Sequence, residues 1–246
     1  MSEQVKNMAM ISLEDGVAMP GLSFYLDAVK RDACEAVKYT VKEDSYVFLA
    51  NPMPDKVAGK VVFYPVGVVA KIKQYVRNSN KTMRVLLQSV KRAKLVEYKK
   101  NTCYMCSVQE LEDKDDTTAD ECKAIMSLLR DKLRESADSG MVRNSVLFSK
   151  VLANDTIGSL TDAMADYITI PNDNRQELLE LVDVKERAFR LIQIIDEELE
   201  VSKIKREIAE KTNQESAKNQ RNFILREQMS VIRRELGEDG TDEKAE

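Results

Sequence analysis

Apolar and polar positions follow two different periods along this chain. Before Thr117, short runs of apolar, β-branched and aromatic residues predict strands joined by turns. These runs are Val47–Ala50, Val61–Val76, Met83–Val90, Lys94–Val96 and Cys103–Val108, with a hairpin turn at Asn78–Asn80. One helix interrupts this half, with Asp27 as its predicted N-cap and a face of small residues from Ala28 to Val37.

The pattern turns helical after the acidic linker Leu111–Asp120. Thr118 or Asp120 is a suitable N-cap for a helix whose apolar residues, Ile125 to Leu133, recur at helical spacing. Shorter helices are predicted around Ser145–Ala153 and Ile157–Tyr167, and Asn172 is the expected cap of the next one. We therefore predict an α+β protein, with a β-rich subdomain at residues 1–113 and an all-helical subdomain at residues 117–246.

The helical half ends in a very long predicted helix. No proline follows Pro171, and no glycine lies between Gly158 and Gly237, where a C-cap glycine is expected. As one continuous helix, Asp183–Leu236 would form a rod of about 80 Å at roughly 1.5 Å per residue. A rod of this length cannot fold back onto one small core, so it must project or bridge.

The long helix has apolar side chains towards its two ends and a polar middle. Its first part carries a stripe that includes Val184, Leu191 and Ile195, whereas Ala209–Asn222 offers no large apolar side chain. A second apolar set then follows: Phe223, Ile224, Leu225, Met229, Ile232 and Leu236. This pattern favours a spacer between two bodies, with the second set as a partner-binding surface. A self-associating coiled-coil arm is the alternative, but the heptads break across the polar middle.

Composition and charge narrow the functional classes. Hydrophobic residues make up 43% and charged residues 33% of the 246 positions, which is typical of a soluble, helix-rich protein. No apolar run approaches the length of a membrane span and no signal segment is evident, so we expect a cytoplasmic protein with reduced cysteines and no membrane partner. A net charge of −4 argues against nucleic acid as the main partner.

The sequence carries no recognisable catalytic or cofactor-binding constellation. It has no histidine, which removes the common histidine-based nucleophile pairs, and it has no phosphate-binding loop of the P-loop type. Cys103 and Cys106 have the spacing of half a zinc site or of a redox pair, but two small residues on a sheet are the simpler interpretation. We therefore predict no catalytic residue, no metal and no cofactor in this chain.

A basic stretch in the β-rich half has two interpretations. Its members, with Tyr98 and Tyr104 nearby, are Lys91, Arg92, Lys94, Lys99 and Lys100. Such a group on a β surface can bind nucleic-acid phosphates. It is more typical of an edge strand that lysines protect from aggregation, which is the interpretation we favour.

Several segments of the chain match motifs of one known protein family. The most specific is LREQMSVIRRELGE, which begins at Leu225 and resembles the segment of bacterial Lon proteases that leads from their N-terminal region into the ATPase module. Tyr64–Ile72 resembles the family's tyrosine-x-valine-glycine strand, Arg92 matches a family arginine, and Asp183–Arg187 matches the aspartate-valine-x-x-arginine start of the long helix. Ser89 departs from the family, since it stands where a glycine is common.

The resemblance implies a fold and a function. The fold is a PUA-like β-subdomain, a helical subdomain and the long helix at about residues 183–236. These precede an AAA+ ATPase module, which uses ATP and magnesium, and a Ser-Lys peptidase module, neither of which these residues encode. The implied task is to hold unfolded, damaged or tagged proteins for those modules and to help assemble a homo-hexamer, without enzyme activity of its own. A stand-alone substrate adaptor or RNA-binding module is the alternative.

Overall fold

The computed structural model describes residues 5–43, 46–54, 61–78, 82–143 and 145–236, which form strands followed by helices. The strands are β1 (Val5–Ser12), β2 (Ser23–Ala28), β3 (Tyr46–Ala50), β4 (Val66–Arg77), β5 (Met83–Lys100) and β6 (Tyr104–Glu110). The α-helices are α1 (Arg31–Lys42), α2 (Ala119–Asp138), α3 (Phe148–Leu152), α4 (Ile157–Tyr167), α5 (Asn172–Glu180) and α6 (Val184–Glu235). This arrangement confirms the predicted α+β class. None of the described helices is long and apolar enough to cross a membrane.

Five strands close into a barrel, and β2 is attached to its outside. The pairing runs β5–β4–β3–β1–β6, and β6 pairs back onto β5 to complete the ring. β1 and β3 are parallel, while the other neighbours are antiparallel. The 18-residue strand β5 pairs with β2, β4 and β6 along different parts of its length.

Alternating side chains of the barrel strands fill its interior. The cluster includes Met10, Phe48 and Val69 from three neighbouring strands, all buried. Phe63 adds edge-on ring contacts to Tyr98 and Tyr104, with centroids 5.2 and 5.3 Å away. The predicted strands are therefore explained by one shared apolar core.

Gly67 is fixed by close packing between β3 and β4. A Cβ atom at this position would lie 2.3 Å from the Leu49 carbonyl oxygen and 2.6 Å from the Phe48 ring. No larger residue fits there without moving the backbone of β3. This contact is a physical reason for the glycine in the Tyr64–Ile72 motif.

Several sequence-based bounds in the β-rich part were wrong. Asp27 lies in strand β2 and caps no helix, because the backbone stays extended until Lys30, which is the residue before α1. The strand predicted at Val61–Val76 begins only at Val66, directly after Pro65. The two strands predicted between Met83 and Val96 are one continuous strand, β5. Ser79 and Asn80 of the predicted hairpin turn lie outside the described residues.

The helical part follows the predicted pattern more closely. Thr118 and Glu121 form a reciprocal capping box at the start of α2, and α4 has the predicted bounds Ile157–Tyr167. The shorter segment expected around Ser145–Ala153 is a 3-10 turn at Ser145–Leu147 followed by α3. Asn172 is the first residue of α5 and not its cap, which is Pro171.

The long helix is continuous from Val184 to Glu235, within one residue of each predicted end. Gly237, its predicted C-cap, lies outside the described residues. The structure divides along this helix into two compact units, one running through Asp196 and the other beginning at Glu197. The predicted boundary between subdomains 1–113 and 117–246 falls in the linker between β6 and α2, and that division stays a prediction.

Candidate functional site

The second apolar set of the long helix is exposed in the unit that begins at Glu197. Its six members are between 48% and 69% exposed, and they are Phe223, Ile224, Leu225, Met229, Ile232 and Leu236. The last four recur three or four residues apart and therefore share one helix face. Val231 lies among them and is also exposed. We call these seven residues the terminal apolar stripe. They give this end of the helix an exposed apolar surface, which is continuous only along the face of Leu225, Met229, Ile232 and Leu236 and is there of the kind that marks a binding site.

The predicted basic stretch is not exposed along its whole length. Arg92 was wrongly included, because only 3% of it is exposed and its guanidinium points into the protein. Lys91 lies 3.7 Å from Glu110, and Lys100 lies 3.2 Å from Asp32. The hydroxyl of Tyr104, followed by the Asp32 carboxylate, raises the pKa of Lys100, so its charge is held by neighbours. Lys94 and Lys99 are exposed.

Arg92 joins the β-rich part to the helices. Its Nη2 donates to Asp162 Oδ1 at 2.5 Å and its Nη1 to Asp162 Oδ2 at 2.8 Å, while Nε donates to the Leu179 carbonyl at 3.0 Å. Asp162 lies on α4 and is also buried. A buried bidentate pair of this kind is directional and tolerates no loss of either partner. The arginine is therefore a structural residue.

Ser89 has a defined role where a glycine is common in the resembling family. Its buried hydroxyl accepts a hydrogen bond from the Leu22 amide at 3.0 Å and lies 2.5 Å from the Met19 carbonyl. The Ser89 amide also donates to the Leu22 carbonyl at 2.8 Å. The side chain thus ties β5 to the turn before β2, where Gly21 has a φ of +78°.

A cavity of about 650 Å³ opens in the β-rich part, and no sequence motif predicted it. It lies between the ends of β1 and β2, the start of α1 and the β5–β6 connection. Its apolar lining includes Ile11, Leu26 and Met53, and its charged lining consists of Glu14, Asp15, Asp27, Lys30, Asp32 and Lys100. The volume is in the range of ligand-binding pockets. Because its lining comes from segments far apart in sequence, only the folded chain assembles it.

The two cysteines of the predicted pair have the properties of buried structural residues. Cys103 and Cys106 are both buried and free, and burial raises the pKa of the Cys106 thiol to about 12. A thiol with such a pKa is a poor nucleophile and a poor metal ligand. Within the described ranges, no group of three or more cysteine or acidic side chains is placed to hold a metal ion.

Comparison with known proteins places these features in a family. The family model for the ATP-dependent protease La (LON) substrate-binding domain matches residues 7–197. The chain belongs to that Lon substrate-binding family. The match includes the barrel, the cavity, Arg92 and the first part of α6, whereas the terminal apolar stripe lies beyond it.

Relatives of this Lon domain are similar along nearly the whole chain. Lon protease 1 of Bacillus subtilis is 27% identical over 241 residues, which cover 97% of this chain and 31% of that protein. Lon protease of Clostridium acetobutylicum is 26% identical over 251 residues, covering 100% of this chain and 32% of that protein. The chain thus spans about a third of the length of these relatives.

Solved structures with the same fold are also Lon domains. The N-terminal domain of Mycobacterium avium complex Lon protease has a TM-score of 0.61 at 22% identity and covers 78% of this chain and 98% of its own. A Lon N-terminal domain protein from Xanthomonas campestris has a TM-score of 0.57 at 17% identity, covering 76% and 98%. At these identities, the likeness establishes the fold.

The aspartate-valine-x-x-arginine motif of the Lon domain has a structural explanation. Asp183 Oδ1 accepts a hydrogen bond from the Glu186 amide at 2.9 Å, which satisfies a free donor in the first turn of α6. Arg187 is fully buried and donates to Asp113 Oδ2 at 2.6 Å and to the Leu181 carbonyl at 2.7 Å. The motif therefore caps α6 and fixes its start to the linker after β6.

Proposed function

We propose that this chain holds unfolded or damaged protein substrates for an ATP-dependent Lon protease. On this proposal, a separate ATPase module binds ATP and magnesium, and a separate Ser-Lys peptidase module cleaves the peptide bonds. The assembled protein is a homo-hexamer in the cytoplasm. The chain itself contributes binding and no catalysis. The observation that carries the proposal is the match of residues 7–197 to the Lon substrate-binding domain.

One feature of the structure supports a substrate-binding role. The cavity in the β-rich part offers apolar surface next to charged groups. Unfolded chains differ from folded ones in the apolar side chains and backbone groups that they expose. Surfaces of this kind distinguish the two states without reading a particular sequence.

Titration with a permanently unfolded protein tests the proposal. Fluorescently labelled, reduced and carboxymethylated lactalbumin should bind the chain weakly and without added nucleotide, because many copies in an assembly would raise the overall affinity. Native lactalbumin should not compete. Tighter binding to single-stranded RNA than to the unfolded protein would contradict the proposal and support the RNA-binding alternative. The burial of Arg92 and the ion pairs of Lys91 and Lys100 disfavour that alternative.

We further propose that the terminal apolar stripe binds the ATPase module of the same protein. Burying a large aliphatic side chain contributes about 1.5–3 kcal/mol, so a stripe of such residues favours a partner. Without that partner, the chain should self-associate through the stripe.

Paired lysine substitutions test this surface. Leu225→Lys with Ile232→Lys should abolish concentration-dependent association in sedimentation velocity while the circular dichroism spectrum stays unchanged. Asn213→Lys with Asn219→Lys, on the same helix but in the polar segment, is the matched control and should leave association as it is. In a dilute monomer, amides from Phe223 to Leu236 should exchange faster than those of the barrel. Equal protection would contradict the proposal.

A further inference from the structure

Strand β2 has one paired edge and one free edge. Its residues Ser23–Ala28 pair with Met83–Gln88 of β5, and β2 pairs with no other strand in the part of the chain that the structure describes. In an antiparallel pair, half of the backbone donors and acceptors of an edge strand point away from its neighbour. The free edge of β2 therefore offers a row of hydrogen-bonding groups to an additional strand.

A second free edge in the same region is protected in the usual ways. The part of β4 beyond Ile72 pairs with β5 and with no other described strand. It carries Lys73 and Arg77, and its register with β5 shifts between Ile72 and Gln74. Basic side chains and irregular register are the devices by which proteins prevent unwanted strand addition.

β2 lacks these devices. Its sequence SFYLDA contains no lysine, arginine or proline, and its register with β5 has no shift. Tyr25 is 62% exposed, and Phe24 and Leu26 are half-buried. The free edge of β4 thus has the features of a protected edge, whereas the free edge of β2 has those of an edge that accepts a strand.

The cavity lies directly against the last half of this strand. Leu26, Asp27 and Ala28 of β2 line it together with apolar residues such as Ile11 and Met53. A strand added beside β2 would present alternate side chains to this cavity, which has room for them. The same arrangement supplies backbone hydrogen bonds for affinity and an apolar pocket for one side chain.

The charges at the cavity favour a basic occupant. Among the described residues that line the cavity, carboxylates outnumber lysines by two, and both of these lysines already have partners, since Lys30 pairs with Glu14 and Lys100 with Asp32. Asp15 is exposed and makes no ion pair with a described residue. A lysine or arginine in the bound segment would find an unpaired carboxylate there.

We propose that the free edge of β2 binds an extended segment of unfolded polypeptide as an added strand, with an apolar side chain in the cavity and a basic side chain near Asp15. This inference rests on the proposed substrate-holding function and names the site and the substrate class. Folded proteins keep their backbone groups paired internally, so strand addition selects unfolded segments. The recognised feature is an unpaired backbone with alternating apolar residues and one positive charge.

A labelled synthetic peptide with alternating valine and threonine and one central lysine tests the site. It should bind the chain, and hydrogen exchange should show new protection of amides in Ser23–Ala28. The control is the same peptide with N-methyl groups on consecutive central amides. It keeps its side chains, but these amides cannot donate backbone hydrogen bonds from either edge of the peptide strand. Its affinity should fall by about tenfold or more, because several backbone hydrogen bonds are lost.

Variants of exposed residues complete the test. Tyr25→Lys places a charge on β2 as protected edges do and should weaken peptide binding by about tenfold. Tyr75→Lys, on the protected strand β4, is the matched control and should have no effect. Asp15→Asn should weaken binding of the lysine peptide by about threefold, as expected for an exposed ion pair, whereas Asp116→Asn in the linker should not.

The outcomes separate this inference from the proposed function. Equal binding of the N-methylated peptide, equal effects of the two tyrosine variants, or protection outside β2 would overturn strand addition. If unfolded lactalbumin binds and the peptide does not, the site is overturned while the substrate-holding function stands. If neither binds, both are overturned.

Discussion

The two ends of α6 have similar amino-acid patterns and opposite environments. In the unit that ends at Asp196, Val184, Ala188 and Leu191 are buried within the helical core. In the other unit, Leu225, Met229 and Ile232 repeat at a similar spacing and are about half exposed. Helix propensity and apolar periodicity therefore specify the helix in both places, but they specify burial only where other elements supply a facing surface. The exposed stripe supports a role outside its own unit.

The largest effect should come from the buried ion pair that holds the helices on the barrel in the unit that ends at Asp196. Arg92→Ala leaves Asp162 buried without its bidentate partner, and breaking such a pair costs about 3–5 kcal/mol. We expect the unit that ends at Asp196 to lose this much of its free energy of unfolding in urea. Lys94→Ala, an exposed residue two positions along β5, should change it by less than about 0.5 kcal/mol.

A double variant separates the pair from its surroundings. If Arg92→Ala alone destabilises strongly, Arg92→Ala combined with Asp162→Ala should recover part of the loss, since the buried carboxylate, whose remaining cation is Arg187 at 3.4 Å, is then absent. A cost below about 1 kcal/mol for the single change would mean that water or Arg187, whose Nε lies 3.4 Å from Asp162, compensates the carboxylate and that the Arg92 pair does not hold the helices on the barrel.

Two leucine-to-alanine substitutions, one at each end of α6, test the comparison between these ends. Leu191→Ala removes a fully buried side chain and should cost about 2–5 kcal/mol in thermal or urea unfolding. Leu225→Ala removes an exposed leucine from the same helix and should cost less than about 0.5 kcal/mol. Both substitutions have the same helix propensity term, so the difference reports burial alone. Equal costs in a dilute monomer would show that Leu225 is buried within one chain, which contradicts the partner-binding proposal.

The smallest effect concerns the ion pair between the starts of α2 and α6. The hydrogen bond from Lys185, followed by those from the Thr118 amide and hydroxyl, lowers the pKa of Glu121 from 4.5 to about 2. A carboxyl whose pKa is lowered by folding stabilises the folded state above its unfolded pKa, and this contribution is lost as the pH falls through the folded value. The stability difference between the native chain and Glu121→Gln should therefore shrink between pH 4.5 and about 2.

Acid titrations of the native chain and of Glu121→Gln, monitored by circular dichroism, measure this stability difference. Glu112→Gln, at an exposed linker position, is the control and should follow the native curve throughout. Because the Glu121 side chain is well exposed to solvent, salt should reduce the difference at neutral pH. A difference that persists at pH 2 would show that Glu121 acts through packing and not through its charge.

Local patterns predicted most of the helical part and half of the β-rich part. Thr118 and the spacing around Leu129 locate α2, and the glycine-free, proline-free run locates α6 to within a residue at each end. These signals are local, since a cap and a periodic face lie within a few turns of each other. The Lon resemblance added the order of the parts and placed Gly67 in a family motif, whereas the reason for this glycine, its close packing against Leu49 and Phe48, comes from the structure.

The errors came from contacts that join distant positions. Arg92 interrupts the apolar pattern of β5 and suggested a break and a basic surface, because its partner Asp162 lies 70 positions further along the chain. Strand β2 was missed because it is a short edge strand whose alternation is half-exposed, and Asp27 was mistaken for a cap although it pairs with Arg84 of β5 at 3.7 Å. The candidate site at β2 depends on which edge is left unpaired, and only the assembled barrel determines this.

The closure of the barrel by β1 and β6 has a consequence for the synthesis of the chain. Met8 is paired with Cys106, so 98 positions separate two strands that must meet. At about 5–20 residues per second, the ribosome needs roughly 5–20 seconds to deliver β6 after β1 has been made. During this interval, the apolar residues Met8–Ile11 lack one of their two neighbouring strands. The nascent chain is therefore itself, for some seconds, an unfolded polypeptide with an open strand edge.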